Sequence, residues 1–239
     1  MQALYLFNCQ QICSIIKPGD VVVDLGCGPA TQLGLVARLN PDIQFIGVDL
    51  SEEMLNKASA YLAELNIDNV ELRQQDITQL QSFDNNSVDA VMSTVVLHHL
   101  PDTQCLENTF AQVKRILKPD AGLYLADFGH LKSDKTIQNF AYQYADQQAE
   151  LFTLDYLYSL QAAFWPEDFE RLYSQHLQSF ATFYKTIIFP FMMIIKSPNR
   201  REINSHLQEQ FNTLYQAMPD NNMKDFNNLA RFFQLSGLK

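Results

Sequence analysis

The chain has 239 residues, of which 47% are apolar, and it carries a formal net charge of −10 at pH 7. This length and apolar content suffice for a full hydrophobic core, in one domain with an elaboration or in a domain with a lid. Because the sequence has neither 18 consecutive apolar residues nor a basic start followed by a long apolar run, we expect no membrane span and no secretion, and we predict a cytoplasmic protein.

The acidic charge is concentrated in the first part of the chain. Residues 1–130 carry 7 Lys or Arg against 16 Asp or Glu, whereas residues 131–239 carry 10 against 11. A negative field repels phosphate backbones, so this balance disfavours a nucleic-acid partner. The one basic cluster, Lys196, Arg200 and Arg201, is interpreted as a solvated turn. Four cysteines without a C-x-x-C pair indicate reduced thiols, and we predict no metal site.

An apolar strand at Val21–Asp24 runs into a glycine turn, Gly26–Gly28, and a second strand, Ile43–Asp49, ends in a carboxylate about twenty residues later. Glycines let the backbone amides of the turn approach a ligand, and the Asp49 carboxylate is placed to accept hydrogen bonds from ribose hydroxyls. Ala30 only partly matches the third small residue of a pyrophosphate-binding loop. The pattern therefore predicts a nucleoside site with a weak phosphate signal.

The following segments alternate between helix and strand. Ser51 is predicted to cap a helix, and Glu52 and Glu53 are favourable in its first turn. Further strands are predicted at Val70–Leu72, Val88–Val96 and Leu123–Asp127, with a helix between the last two that ends before Pro119. Strands separated by helices indicate a parallel sheet that binds ligands at the carboxyl ends of its strands.

Five motifs occur along this part of the chain in the order DLGCGPA, GVDLSEEML, QQDI, SVDAVMSTVVLHHLPD and LKPDAGLYLADF. As an ordered set they resemble class I S-adenosylmethionine-dependent methyltransferases of the small-molecule type, over about residues 12–129. Ala30 departs from the family, which usually has a third glycine there. The resemblance implies an α/β fold with a doubly wound, seven-stranded, mostly parallel sheet, a helical insertion before the last two strands and a helical C-terminal extension. It also implies methyl transfer from S-adenosylmethionine to a small apolar or aromatic acceptor.

The resemblance further implies a set of cofactor-binding residues. Asp24 and Gly26 would meet the methionine end, Asp49 the ribose and Asp76 the adenine amino group. The remaining members are Leu50 and Ile77 on the two adenine faces, Ser93 through its carbonyl, and Cys27, Gly28 and Met54. For Asp24 the alternative is a strand-end residue that hydrogen-bonds its own turn.

Candidate catalytic groups follow the fourth and fifth strands. His98 is a candidate general base because imidazole accepts a proton near neutral pH. His99 is a weaker candidate, and the family resemblance suggests that at least one of the two histidines is structural. Asp127 is a second candidate base or an acceptor-orienting group, and His130 is a weaker one.

The second part of the chain is predicted to be helical at first, because residues 130–236 contain no glycine. Helices are predicted at Lys135–Leu151, Asp155–Phe164 and Pro166–Leu177, before two closing strands at Phe180–Ile188 and Phe191–Lys196. Residues 140–191 hold 15 of the 28 aromatic side chains. These rings either pack the core or line a lid over the acceptor. The best candidates for facing an acceptor are Tyr142, Tyr144, Phe164 and Trp165.

The motifs suggest boundaries for four segments: a cofactor-binding core over 1–129, a helical insertion over 130–179, closing strands over 180–197 and an extension over 198–239. Asn199 and Asp220 are predicted to cap two helices in the extension. These helices either cover a face of the core or form a homodimer contact. Three functional alternatives stay open: an RNA-directed methyltransferase, a non-catalytic S-adenosylmethionine-binding protein, and an NAD-dependent dehydrogenase, for which no Tyr-x-x-x-Lys pair is present.

Overall fold

The computed structural model describes residues 2–186 and 190–238. Its elements in chain order are α1 (Gln2–Ile15), β1 (Val21–Leu25), α2 (Thr31–Arg38), β2 (Gln44–Asp49), α3 (Glu52–Glu64), β3 (Val70–Gln74), β4 (Val88–Thr94), α4 (Thr103–Ile116), β5 (Leu117–Phe128), α5 (Asp134–Tyr142), α6 (Glu150–Ala162), α7 (Pro166–His176), β6 (Thr182–Lys185), β7 (Met192–Lys196), α8 (Ser205–Gln216) and α9 (Asp220–Leu235). None of the helices within these ranges is long and apolar enough to cross a membrane.

Within the described residues, seven strands form one sheet in the order β3-β2-β1-β4-β5-β7-β6. The first five strands are parallel, and β7 runs antiparallel to both of its neighbours. The predicted fold class is therefore confirmed, including one antiparallel closing strand. Because β1, β2, β4 and β5 are parallel, their carboxyl ends meet at one edge, here called the carboxyl edge.

Both faces of the sheet are covered, because alternate side chains of the buried strands point to opposite sides. Val22 and Tyr124 face the cluster formed with α1, α2 and α9, and Val23 and Leu123 face the cluster formed with α4 and α7. The Tyr124 hydroxyl donates a hydrogen bond to Asn8 of α1 at 2.8 Å, which satisfies a polar group deep in the core. This double layer fixes the strand ends that form the carboxyl edge.

The predicted helix Lys135–Leu151 is wrong as a single element. Helix α5 ends at Tyr142, a single 3₁₀ turn follows at Ala145–Gln147, and α6 begins at Glu150, before the predicted start at Asp155. No glycine or proline marks this break, so spacing alone does not reveal it. Helix α7 begins with Pro166 in its first turn, as predicted. Of the predicted strand Phe180–Ile188, residues 182–185 are strand, and residues 187 and 188 lie outside the described residues.

The extension begins differently from the prediction. Asn204, not Asn199, caps α8 by accepting a hydrogen bond from the Leu207 amide at 2.8 Å. Asn199 instead accepts one from the Lys196 ammonium. Asp220 is the first helical residue of α9 and makes no side-chain cap.

Helix α9 lies on α1 of the same chain. The ring of Phe7 stacks on Phe233, with centroids 5.5 Å apart, and meets Phe226 edge-on at 6.4 Å. This arrangement supports the prediction that the extension covers a face of the core. The homodimer stays a prediction.

The predicted basic cluster is neither a patch nor a solvated turn. The Arg200 guanidinium is paired with the buried Asp20 carboxylate at 2.6 Å and donates to the carbonyls of Ile15 and Asp89. Arg201 donates to the Cys13 carbonyl and to the side chain of Asn40. These arginines attach the start of the extension to α1 and β1, at the edge opposite to the carboxyl ends.

Candidate active site

The glycine turn adopts a left-handed backbone that glycine accommodates best. Gly26 has φ +68° and Gly28 has φ +52°. A Cβ atom on Gly26 would lie 2.3 Å from Cγ2 of Val96, so the turn and the segment after β4 pack against each other without room for a side chain. A Cβ atom on Gly28 would have no heavy atom within 4 Å. The turn is therefore closed on the Val96 side and open above Gly28.

Ala30 lies in a backbone conformation that glycine adopts more easily. It has φ +61° and ψ 24°, in the left-handed region, and it is fully buried at the start of α2. Its methyl group is thus accommodated in a backbone conformation that is unfavourable for an L-residue by about 1–2 kcal/mol. The turn therefore holds an alanine at a position whose backbone favours glycine.

Asp49, at the end of β2, joins the glycine turn to the next helix. Its Oδ2 accepts a hydrogen bond from the Gly28 amide at 2.8 Å, and its Oδ1 accepts one from the Ser51 amide at 2.9 Å. Ser51 in turn caps α3 by accepting from the Met54 amide, as predicted. The neighbouring Leu50 is 68% exposed, which is unusual for a leucine beside a buried strand. A fixed carboxylate and an open apolar side chain therefore stand together at the carboxyl edge.

Asp24 is the buried carboxylate of this edge, with 2% of its surface exposed. Within the part of the chain that the structure describes, no group donates a hydrogen bond to it. Burial and, secondly, the charge of Asp49 raise the pKa of Asp24 well above its usual range. Burial of the Cys27 thiol and the charges of Asp24 and Asp49 raise the pKa of this thiol. The alternative in which Asp24 hydrogen-bonds its own turn is therefore wrong, and the site has the electrostatics of a cation acceptor.

The other predicted cofactor residues lie along the same strand ends. Asp76, two residues past β3, accepts hydrogen bonds from the Thr78 amide and the Gln79 side chain. Partial burial raises its pKa, but these hydrogen bonds outweigh burial and lower the pKa below its ordinary value. Ile77 is buried, and the Ser93 hydroxyl donates to the Leu25 carbonyl at 2.9 Å, which ties β4 to β1.

The carboxylate of Asp127 holds the ring of His98, so that two residues predicted as separate candidates form one pair. Oδ1 of Asp127 lies 2.7 Å from Nδ1 of His98, and both side chains are 1% exposed. The backbone amides of Val96 and His98 donate to Oδ2, and that of Phe128 donates to Oδ1. Three amides thus fix the carboxylate, and the carboxylate fixes the imidazole.

The second ring nitrogen of His98 is free. Nε2 is buried and has no hydrogen-bond partner among the described residues. When Nδ1 donates to Asp127, Nε2 of the neutral ring carries the lone pair and accepts a proton. Burial lowers the pKa of His98, but the charge and hydrogen bond of Asp127 outweigh it, so this pKa is raised above 6.5.

The backbone is strained shortly before the first residue of the His98–Asp127 pair. Val95 has φ +56°, a conformation that costs a β-branched residue about 1–3 kcal/mol. Its amide donates to the Ala126 carbonyl at 2.8 Å, which holds the strained turn against β5. The turn brings Val96 onto Gly26 and directs the amides of Val96 and His98 at Asp127.

The other histidines are placed differently. His99 is exposed as a residue, but its ring lies 4.2 Å from that of His98, and partial burial of the ring together with the His98 charge lowers the pKa of His99. The His130 ring packs on Trp165 at 4.2 Å. Neither ring is held by a carboxylate hydrogen bond as His98 is.

A cavity of about 520 Å³ lies beyond Phe128, between the α5–α6 segment, α1, α9 and the start of β7. The Phe128 ring is 5.5 Å from the His98 ring on one side and 5.4 Å from Tyr156, a wall residue of the cavity, on the other. The Phe128 ring therefore lies between the two and packs against both, so that the cavity ends beside the His98–Asp127 pair.

Only one of the four predicted acceptor-facing rings lines this cavity, namely Tyr144. Tyr142 and Trp165 are about half exposed, and Phe164 packs into the core beside α4 and α7. Tyr142, Phe164 and Trp165 do not line this cavity, and their role toward an acceptor stays a prediction. The rings that line the cavity from this segment are Phe140, Tyr144, Phe152 and Tyr156. Phe152 and Tyr156 have the i, i+4 spacing of one face of α6, but this spacing does not reveal what the face contacts.

Comparison with known proteins agrees with this geometry. A family model described as a methyltransferase domain matches residues 16–177. An arsenite methyltransferase of Halobacterium salinarum is 35% identical over 113 residues, which are 47% of this chain and 28% of that protein. A demethylmenaquinone methyltransferase of Desulfitobacterium hafniense is 38% identical over 105 residues, or 43% of this chain and 40% of that protein. The chain thus spans less than half the length of these curated relatives.

Among solved structures, a SAM-dependent methyltransferase from Aquifex aeolicus superimposes with a TM-score of 0.57 at 17% identity, over 81% of this chain and 90% of that chain. This likeness concerns the fold. The family match covers well over half of the chain, and its matched residues include the glycine turn, Asp49 and the His98–Asp127 pair. The chain therefore belongs to the methyltransferase domain family, with the fold of the class I S-adenosylmethionine-dependent methyltransferases.

Proposed function

We propose that this protein transfers a methyl group from S-adenosylmethionine to a small acceptor, with His98 as the general base. The observation that carries the proposal is the meeting of an open glycine turn, an uncompensated buried carboxylate and a fixed imidazole with a free Nε2 at one carboxyl edge. Relatives whose names give arsenite and demethylmenaquinone as substrates support small acceptors as a class.

The residues at the edge fit this cofactor. S-adenosylmethionine carries positive charge on its sulfonium and α-amino groups, and the buried Asp24 has no cation beside it within the described residues. Leu50 offers apolar surface to a base, and the space above Gly28 admits a ligand against the backbone. When bound, the cofactor supplies an activated methyl group.

Each predicted residue has a place in this proposal. Asp24 and the turn from Gly26 through Cys27 to Gly28 hold the methionine end, and Asp49 holds the ribose. Adenine is held by Leu50, Met54, Asp76 and Ile77, and the Ser93 carbonyl meets the amino group.

The protein's own contribution to the reaction is orientation and proton removal. Aligning an acceptor with a donor methyl group lowers a barrier by about 7–11 kcal/mol in favourable cases. Nε2 of His98 takes the proton from an acceptor hydroxyl or amine. Asp127 is a positioning residue that keeps Nδ1 protonated and stabilises the imidazolium formed. We assign residues 1–129 to the cofactor core, 130–179 to the insertion, 180–197 to the closing strands and 198–239 to the extension.

The test is calorimetry with S-adenosylmethionine and NAD, followed by an acceptor panel assayed for S-adenosylhomocysteine. The panel contains arsenite, a demethylated quinol, aromatic amines and alcohols, and RNA. We expect S-adenosylmethionine to bind, NAD not to bind, and a small acceptor to give product. Tighter binding of NAD would favour a dehydrogenase. Transfer to RNA alone would favour an RNA-directed enzyme, and cofactor binding without any transfer would favour a non-catalytic binding protein.

A further inference from the structure

The cavity beyond Phe128 combines aromatic rings with a single charged group. Seven of its lining side chains are Phe or Tyr, and among the described lining residues the only ionisable group other than tyrosine is the carboxylate of Asp225 on α9. The remaining polar lining consists of neutral Asn and Gln side chains. The charge of this wall is therefore negative, and its described lining residues offer no positive charge to pair with an anion.

Asp225 is held in place but not neutralised. The Tyr144 hydroxyl donates to its Oδ1 at 2.9 Å, which joins the insertion to α9. Asp225 forms no ion pair with any Lys, Arg or His of residues 2–186 and 190–238. Burial, then the hydrogen bond to Asp225 and then its charge raise the pKa of Tyr144, and burial followed by the charge of Asp225 raises the pKa of Tyr156, as expected if this carboxylate faces the same space as the two phenols.

We propose that this cavity binds an aromatic or apolar molecule that carries an amine cation, with the ammonium group against Asp225. Aromatic faces attract a cation through their quadrupole, and a carboxylate adds a charge-assisted hydrogen bond. The same carboxylate repels the negative charge of a carboxylate or phosphate ligand.

The inference rests on the proposed function in one respect, namely that the ligand is the methyl acceptor. Phe128 lies between this cavity and His98. The amine is therefore the anchoring group at the α9 end, and the atom that receives the methyl group lies at the Phe128 end.

The test uses three probes that share one ring system and differ in charge: tryptamine, the neutral indole-3-ethanol and the anionic indole-3-acetate. Binding is measured by calorimetry at neutral pH on the full chain, with and without S-adenosylhomocysteine. We expect tryptamine to bind at least about tenfold more tightly than the alcohol, and the acetate to bind most weakly.

Asp225→Asn keeps the shape and can still accept the Tyr144 hydrogen bond, so we expect it to bind tryptamine and the alcohol alike. The matched control is Asp146→Asn, an exposed residue of the 3₁₀ turn that is not among the described lining residues, and this variant should keep the preference for the amine. Thermal melting checks that both variants fold.

Two results would overturn the proposal: no preference for tryptamine in the wild-type protein, including no binding at all, or an unchanged preference in Asp225→Asn. Failure of the proposed function gives a different pattern. In that case tryptamine still binds through Asp225, but S-adenosylmethionine does not bind or no methyl group is transferred.

Discussion

The carboxyl edge and the cavity beyond Phe128 are built in different ways. At the edge, short turns that directly follow the strands hold one another, as when Asp49 accepts hydrogen bonds from Gly28 and Ser51. The cavity wall comes from faces of α1, α5, α6 and α9, which meet through contacts between residues far apart in the sequence, such as Tyr144 and Asp225. A site made of turns that follow strands can be predicted from a sequence, whereas a site made of helix faces that lie far apart in the sequence cannot.

The largest expected effect tests the edge. His98→Ala removes the proposed base, so we expect kcat to fall by about 10²–10⁴-fold, while the affinity for S-adenosylmethionine measured by calorimetry stays the same. His99→Ala is the control, because His99 is exposed and lacks the Asp127 hydrogen bond. A change in kcat of less than about twofold for His98→Ala would assign the histidine a structural role.

The second effect tests the cavity wall. Phe233 is 1% exposed and stacks on Phe7, so Phe233→Ala should lower the free energy of unfolding by about 3–5 kcal/mol in denaturant titrations. Leu235→Ala, on the same helix but 64% exposed, should change it by less than about 0.5 kcal/mol. Equal effects of the two substitutions would mean that α9 does not pack on α1 as described.

The pH dependence of kcat distinguishes the His98–Asp127 pair from the neighbouring His99. His98 acts as a base only when neutral, and its pKa is raised above 6.5, so kcat should fall about tenfold per pH unit below that raised pKa. The free energy of unfolding changes in the opposite direction. Protonated His98 paired with Asp127 stabilises the fold fully below the pKa that His98 has in the unfolded chain, and this stabilisation is lost as the pH rises through its pKa in the folded protein. His99→Ala should keep the profile. A flat profile between about pH 6 and 8 would contradict the assignment.

The smallest of these effects compares two glycines. Gly28 and Gly237 both have positive φ and open space at the Cβ position, so either change to Ala should cost about 1 kcal/mol of stability. Only Gly28→Ala places a methyl group in the proposed cofactor space, and we expect its affinity for S-adenosylmethionine to fall about tenfold. Equal affinities in the two variants would place the cofactor elsewhere.

The sequence predicted most of the sheet and the residues at its edge because these follow from local rules. The apolar runs of β1, β2 and β5 end in aspartate or glycine, and Ser51 caps its helix as its residue type suggests. The hydrogen bond between His98 and Asp127 was not predicted, since it joins residues 29 positions apart across two strands. The available signal was that both residues lie at the ends of parallel strands, whose carboxyl ends meet at one edge of the sheet.

The insertion and the extension were predicted less well. No glycine or proline marks the end of α5 at Tyr142, and choosing Asn204 over Asn199 as a cap requires knowing that Lys196 already donates a hydrogen bond to Asn199. Phe164 and Trp165 are aromatic residues that precede Pro166, and the sequence does not show which space their rings face. Only the tertiary packing shows that they lie outside the cavity. Composition identifies such a region as aromatic without saying which rings share a space.

The packing of α9 on α1 has a consequence for how this protein diverges. Helix α9, with Asp225, follows the last strand and lies outside residues 16–177, the segment that the family shares. If α9 selects the acceptor, substitutions there change substrate choice without touching the glycine turn, Asp49 or His98. The residues that bind the donor and those that select the acceptor then change independently within one chain, so that substitutions in α9 give the same carboxyl edge a different acceptor.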